Sequence, residues 1–186
     1  ADGDEVMVLA EILNTSAFSS NTTETETGRS SYEDAFNKLL ERGYHVAPAT
    51  NQDNHCANWG TAYSNRTGIL VPNGTALGRD SFVEAVRARR VFATMDKGSQ
   101  LVLTANGRLM GERFTNSGPL TLVANFASTT GKQVAAVAII RGNFMVFSCR
   151  YGWWSVQAAG ATKWRQRGSS KTSCGAPEAA MRPWSR

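Results

Sequence analysis

The hydrophobic period of this chain changes once, close to residue 99, and that change limits the folds open to it. Before it, apolar runs of strand length alternate with segments at helical spacing; after it, every periodic segment is strand-like. Residues 5–13, EVMVLAEIL, read as a buried strand. SYEDAFNKLLERG then sets Ala35, Phe36, Leu39 and Leu40 on one helical face, with Ser30 or Ser31 as capping candidate, acids in the first turn and Gly43 as the stop. YHVAPAT is short and extended. The rhythm repeats with TGILVP as a strand, DSFVEAVRARR as a helix whose Ser81 and Glu84 are spaced for a capping box, and VFATM as a strand. Strands alternating with helices predict a largely parallel sheet.

Beyond the change of period, QLVLTANGRLMGERF carries Asn106-Gly107 between two extended runs, a strong hairpin signal. LTLVANFAS and QVAAVAIIRGN add two strands, so the C-terminal half reads as a small antiparallel β unit. The expected organisation is an α/β domain over residues 1–98, a β extension over 99–148 and an irregular basic tail over 149–186. The stretch NTSAFSSNTTETETGRSS has no period and reads as a long polar loop.

With 186 residues, 41% of them hydrophobic and 19% charged, the chain can bury a core and is not a disordered polymer. Its longest apolar run, residues 134–140, falls far short of the roughly 20 residues that span a bilayer. The acidic start ADGDE lacks the basic and apolar regions of a secretory leader. No membrane contact is expected. Residue 1 is Ala and the first strand-like run follows at once, so the chain reads as trimmed from something longer.

The net charge of +5 lies wholly in the tail, where Lys163, Arg165, Arg167, Lys171, Arg182 and Arg186 face only Glu178. With Trp164 and Trp184 such a tail could touch RNA, but a solvated terminus is the plainer reading, and no nucleic-acid partner is expected. Cys56, Cys149 and Cys174 have no paired spacing and are odd in number, which argues against a complete disulfide framework; Cys149 with Cys174 stays open. Sequons at Asn14, Asn21, Asn65 and Asn73 arise readily in such loops, so the compartment stays open too.

The densest polar cluster is NQDNHCANWG, residues 51–60, which follows YHVAPAT and so sits where a parallel strand opens into a loop, the usual place for a ligand in such sheets. In an extended loop Asp53 and His55, two apart, point the same way. A carboxylate and an imidazole suit Zn, Mn or Fe, with Asn51, Asn54 and Asn58 available to orient them. The competing reading has Asp53 capping a turn and His55 as an ordinary hydrogen-bonded group. His45, the other histidine, reads as a strand residue, and nothing places it with Cys56 as a nucleophilic pair. There is no G-x-S-x-G, P-loop or G-x-G-x-x-G, which removes serine-hydrolase, NTPase and dinucleotide readings. Arg66 and Arg113 could meet an anion or serve as surface ion-pair partners, and Tyr151, Trp153 and Trp154 read as packing residues of the β unit.

The segments GYHVAPATNQDNHCANWG, RTGILVP and DSFVEAVRARRVFATMDKGSQLVLTANGRLMGE together resemble the C-terminal part of a PHP domain, the polymerase and histidinol phosphatase superfamily of metal-dependent phosphoesterases. The resemblance covers roughly residues 5–140 and includes the NG..MG turn of Asn106, Gly107, Met110 and Gly111, which is similar to the branch with a C-terminal β extension. It implies the last strands and helices of a distorted (β/α)7 barrel, divalent metal ions at the strand ends and a phosphorylated small-molecule substrate. The family's Asp-x-His metal motif falls on Asp53 and His55. Its His-x-His motif and other ligands have no counterpart, because His45 and His55 are the only histidines. The resemblance therefore implies a portion incomplete as a catalyst, or a non-catalytic module that pairs with a partner chain or another copy at an open sheet edge.

Overall fold

The computed structural model describes residues 3–141 and, as backbone strands, Phe144–Arg150, Trp154–Ala158 and Arg165–Gln166. The chain divides into two compact units, residues 1–100 and 101–186. It is a mixed α/β protein in which strand outweighs helix and the sheets are small.

In the first unit, β1 (Leu9–Thr15) is central, with β2 (Arg29–Ser31) antiparallel on one side and β3 (Ala47–Asn51) parallel on the other. Helix α1 (Glu33–Glu41) makes the crossover and packs on β1. It begins after Tyr32 with no side-chain cap, since Ser30 and Ser31 are strand residues rather than the expected caps. Its end is the expected one: Gly43 takes φ +83°, where a Cβ would strain the backbone, and its N–H reaches Leu40 O while Tyr44 N–H reaches Leu39 O.

The second strand–helix–strand unit departs from expectation. β4 (Arg66–Ile69) and β5 (Val91–Thr94), joined through α2 (Arg79–Arg87), pair antiparallel with Gly68 opposite Phe92. Among the described residues β1 and β3 form the one parallel pair, so the sheet is not largely parallel, and no barrel closes. Apolar period identifies a strand but not its direction, and the long connection at residues 70–78 gives the chain room to turn back before α2. Helix α2 is not capped by Ser81 with Glu84. Gly78 is the N-cap, its N–H donating to Ser81 Oγ at 2.9 Å, while Ser81 Oγ donates to Ala76 O.

β3 and β4 are joined through a side chain. The Thr67 hydroxyl accepts from Thr50 N–H and donates to Thr50 O, both at 3.0 Å, in place of a backbone ladder. Beneath these strands lies a small core of Val46, Ala47, Ala49, Ala62, Ala85, Val91 and Phe92. Four of the seven are alanines, so little apolar area is gained per residue.

The second unit is antiparallel. β6 (Ser99–Ala105) turns into β7 (Arg108–Leu109) through Asn106 and Gly107, both at positive φ, as the hairpin signal requires. β8 (Leu120–Ser128) lies beside β6 in the order β12-β11-β8-β6-β7, and β9 (Ala136–Arg141) pairs with β10 (Phe144–Arg150). The irregular structure expected beyond Arg150 is interrupted by β11 (Trp154–Ala158), which pairs with β8, and β12 (Arg165–Gln166). A ladder partner far away in sequence supplies there the order that local pattern does not. Tyr151, Trp153, Cys174 and the basic residues from Arg167 onward lie outside the described residues, as do the side chains of Cys149 and Trp154.

Candidate functional site

β3 ends at Asn51, and an open cleft of about 510 Å³ lies there, lined by the run from Thr50 to Asn54, by Trp59 and Gly60, and by Asn65, Arg66 and Thr67 of β4 and its approach. Two loops build its walls. Residues 16–28, the long polar loop, fold back on residues 52–65: Asn58 Nδ2 donates to Ser19 O and Asn21 O, and Thr25 bridges to Tyr63. Glu24 joins the loops by charge, with Arg66 Nη2 at 2.9 Å and Lys97 Nζ at 2.5 Å from its carboxylate. The hydrogen bond from Lys97, opposed by desolvation and reinforced by the charge of Lys97 and the bond from Arg66, holds the Glu24 carboxyl below its ordinary range.

Asn65, only 2% exposed, locks the loop to the strand end. Its Nδ2 donates to Asn51 O at 2.9 Å and its Oδ1 accepts from Gln52 Nε2 at 3.1 Å, so both ends of the amide are used. Sequence reading had no signal for Asn65, Glu24 or Thr67, because each acts on a partner well away in sequence. Arg66 is occupied by Glu24 and by the carbonyls of Gly60, Tyr63 and Asn65. It is an ion-pair and bracing residue.

The Asp53–His55 segment is not extended. Asp53 has φ +47°, so the alternation that would aim the two side chains alike does not hold. Instead His55 Nδ1 lies 2.5 Å from the Asp53 carbonyl, and His55 N–H donates to Ala17 O. A carbonyl only accepts, so Nδ1 is the donor, which in a neutral ring leaves the lone pair on Nε2. The His55 ring sits 5.0 Å from the exposed Phe18 ring. Asp53 lines the cleft, whereas His55 is exposed outside its lining. Asn51, Asn54 and Asn58 brace the loops instead of orienting these two: Asn51 Nδ2 donates to Glu11 Oε1 and Asn54 Oδ1 accepts from Cys56 N–H.

His45 stands just ahead of β3 rather than within it, held by Asp4 through its backbone N–H and through Nδ1 at 2.8 Å. Arg89 closes the same knot on His45 O and Asp4 O. Cys56, free and exposed, lies beyond the opposite end of β3, so the two are not a pair. Among the described residues no three His, Cys, Asp or Glu side chains gather to hold a metal ion. No described helix is long and apolar enough to cross a membrane. Comparison with protein-family models, curated proteins and solved structures gives no match.

Proposed function

We propose that this chain is the C-terminal portion of a PHP-like metal-dependent phosphoesterase, contributing Asp53 and His55 to a divalent-metal site without being a catalyst on its own. The observation that supports this reading is the bond from His55 Nδ1 to the Asp53 carbonyl. Metal-ligating histidines characteristically donate one ring N–H to such an acceptor, which fixes the tautomer and leaves the other nitrogen to bind. The position is consistent with this, since the segment follows a parallel strand and Asp53 lines the polar cleft. The donor set does not fit a complete centre: a tight site uses at least three protein ligands, and among the described residues no three such side chains gather. No hydrolytic step runs on these residues alone, and Zn, Mn or Fe would need further ligands from outside them.

Equilibrium dialysis against Zn²⁺ followed by elemental analysis tests the reading. The chain retains zinc weakly, and Asp53→Ala and His55→Ala each lower the amount while the fold persists. Equal zinc in all three proteins would sink it.

A second reading, a non-catalytic module that pairs with a partner chain or with another copy, is favoured by a separate observation. Val6, Phe18, Trp59 and Leu77 are each at least 75% exposed, and β2 covers β1 only across Leu13–Thr15. An edge left open in this way invites strand addition. Light scattering over a concentration series decides it, with a concentration-dependent mass in favour and a constant monomer mass against.

A further inference from the structure

Helices α1 and α2 are each nine residues long and align end to end, Glu33–Glu41 with Arg79–Arg87. Asp34 matches Asp80 and Phe36 matches Phe82, but the charges at the two ends are inverted, Glu33 against Arg79 and Glu41 against Arg87. The two glutamates of α1 and the two arginines of α2 are thus equally spaced, about 12 Å apart along one side of each helix. At a third inverted position, Lys38 against Glu84, the glutamate is already held by Arg90 at 3.3 Å. The four end charges are exposed, and among the described residues none has an ion-pair partner. Two of them are unfavourable where they stand. Glu41 at the C-terminus of α1 and Arg79 at the N-terminus of α2 each oppose the dipole of their own helix.

The same helix sides carry apolar residues. In α2 the small Ala85 is 1% exposed and packs inward, whereas Phe82 and Val83 are 45% and 37% exposed. Val83 lies one turn from both Arg79 and Arg87. In α1, Leu40 is 39% exposed beside the Glu33–Glu41 pair. A second α2 cannot cover the α2 face, because an antiparallel pair sets Arg79 against Arg87 and a parallel pair sets each arginine against itself. An antiparallel α1 from another copy meets both ends. Glu41 then falls against Arg79 and Glu33 against Arg87, so the two charges that oppose their own dipoles neutralise each other, and Leu40 lies within a turn of Phe82 and Val83.

We propose that α2 of one copy takes α1 of a second copy in an antiparallel helix pair, apolar at its centre and ion-paired at both ends. The two surfaces differ, so the contact is heterologous and repeats from copy to copy. Two nine-residue helices make a contact at the small, transient end of specific interfaces, below about 1,200 Å². Association in the range of about 0.1–1 mM follows. The inference rests on the reading of the chain as a module that pairs with another copy, names the surface used, and does not need the open edge of β1.

Sedimentation velocity on the full chain, from about 10 μM to about 1 mM, spans that range. Four samples are compared: the parent, a protein with Glu33→Lys and Glu41→Lys, a protein with Arg79→Glu and Arg87→Glu, and the equimolar mixture of the two variants. The parent gains mass with concentration. Each variant alone associates tenfold or more weakly, because like charges then face each other at both ends of the helix pair. The mixture regains the parent's association, since each inverted helix finds its complement on the other protein, and that recovery also shows that both variants fold. A parent that stays monomeric throughout overturns this proposal together with the reading on which it rests. Association unchanged in both variants, or not restored in the mixture, overturns the helix pairing alone and leaves that reading standing.

Discussion

Gly68→Ala would set a methyl group directly against the Phe92 ring. Gly68 pairs across the β4–β5 ladder with Phe92, whose ring, in a side chain only 7% exposed, lies over the glycine. A Cβ at position 68 would stand 2.2 Å from Phe92 Cζ, 2.3 Å from Cε1 and 2.8 Å from Cε2. Ordinary carbon contacts are about 3.5–4.0 Å, so the ring must move by more than about 1 Å within a packed core. Overpacking of this kind costs about 1–3 kcal/mol or more, and the gain of up to about 1 kcal/mol from a stiffer unfolded chain offsets only part of it. A net loss of about 2 kcal/mol, with a urea slope of about 2 kcal/mol/M, lowers the urea midpoint by about 1 M. The three clashing atoms are ones that leucine lacks. Gly68→Ala combined with Phe92→Leu should therefore cost less than the two single changes summed, by about 1–2 kcal/mol. Additive costs, or a Gly68→Ala protein as stable as the parent, would show that no such clash with the Phe92 ring exists.

The remaining predictions concern the loops. Asn65→Ala removes two hydrogen bonds and strands the Asn51 carbonyl, so urea unfolding should show a loss of about 2–3 kcal/mol. Glu24 has a lowered carboxyl pKa, so its contribution is full above the ordinary value of 4.5 and disappears as pH falls through the folded value. Glu24→Gln should therefore destabilise the protein at neutral pH and flatten its stability profile below about pH 4.5, read by thermal melts across pH. Asn73 and Asn106 both precede glycine, yet Asn73 is exposed and makes no hydrogen bond among the described residues, whereas the Asn106 amide is held by Asn116, Pro119 and Thr121. On prolonged incubation at pH 8 peptide mass spectrometry should find deamidation at Asn73 well ahead of Asn106.

Local chemistry made much of the fold legible, and non-local pairing explains where it did not. Gly43 and Asn106-Gly107 demand positive φ, and the chain turns at each of them. The antiparallel return of β5 could not be read from VFATM, because the direction of a strand depends on the path of residues 70–78 and not on the strand's own alternation. β11 lies in sequence with no sustained period and is ordered by its ladder with β8. For the site, the polar run after β3 marked the position of a cleft, but its local shape was lost to one backbone angle: Asp53 at φ +47° breaks the i, i+2 geometry. The braces that hold the cleft, Glu24 to Arg66 and Asn65 to Asn51, link loops far apart along the chain, and no periodicity announces such contacts.

The proposed role of Asp53 and His55 turns on a single ring nitrogen. The most direct measurement is a Zn²⁺ titration of the labelled chain that follows the His55 imidazole nitrogens by nuclear magnetic resonance, with Asp53→Ala run alongside. The protonated Nδ1 signal should persist while Nε2 shifts with zinc, and Asp53→Ala should weaken the response. A response centred on Nδ1, no response at all, or an identical response in Asp53→Ala would contradict the proposed role.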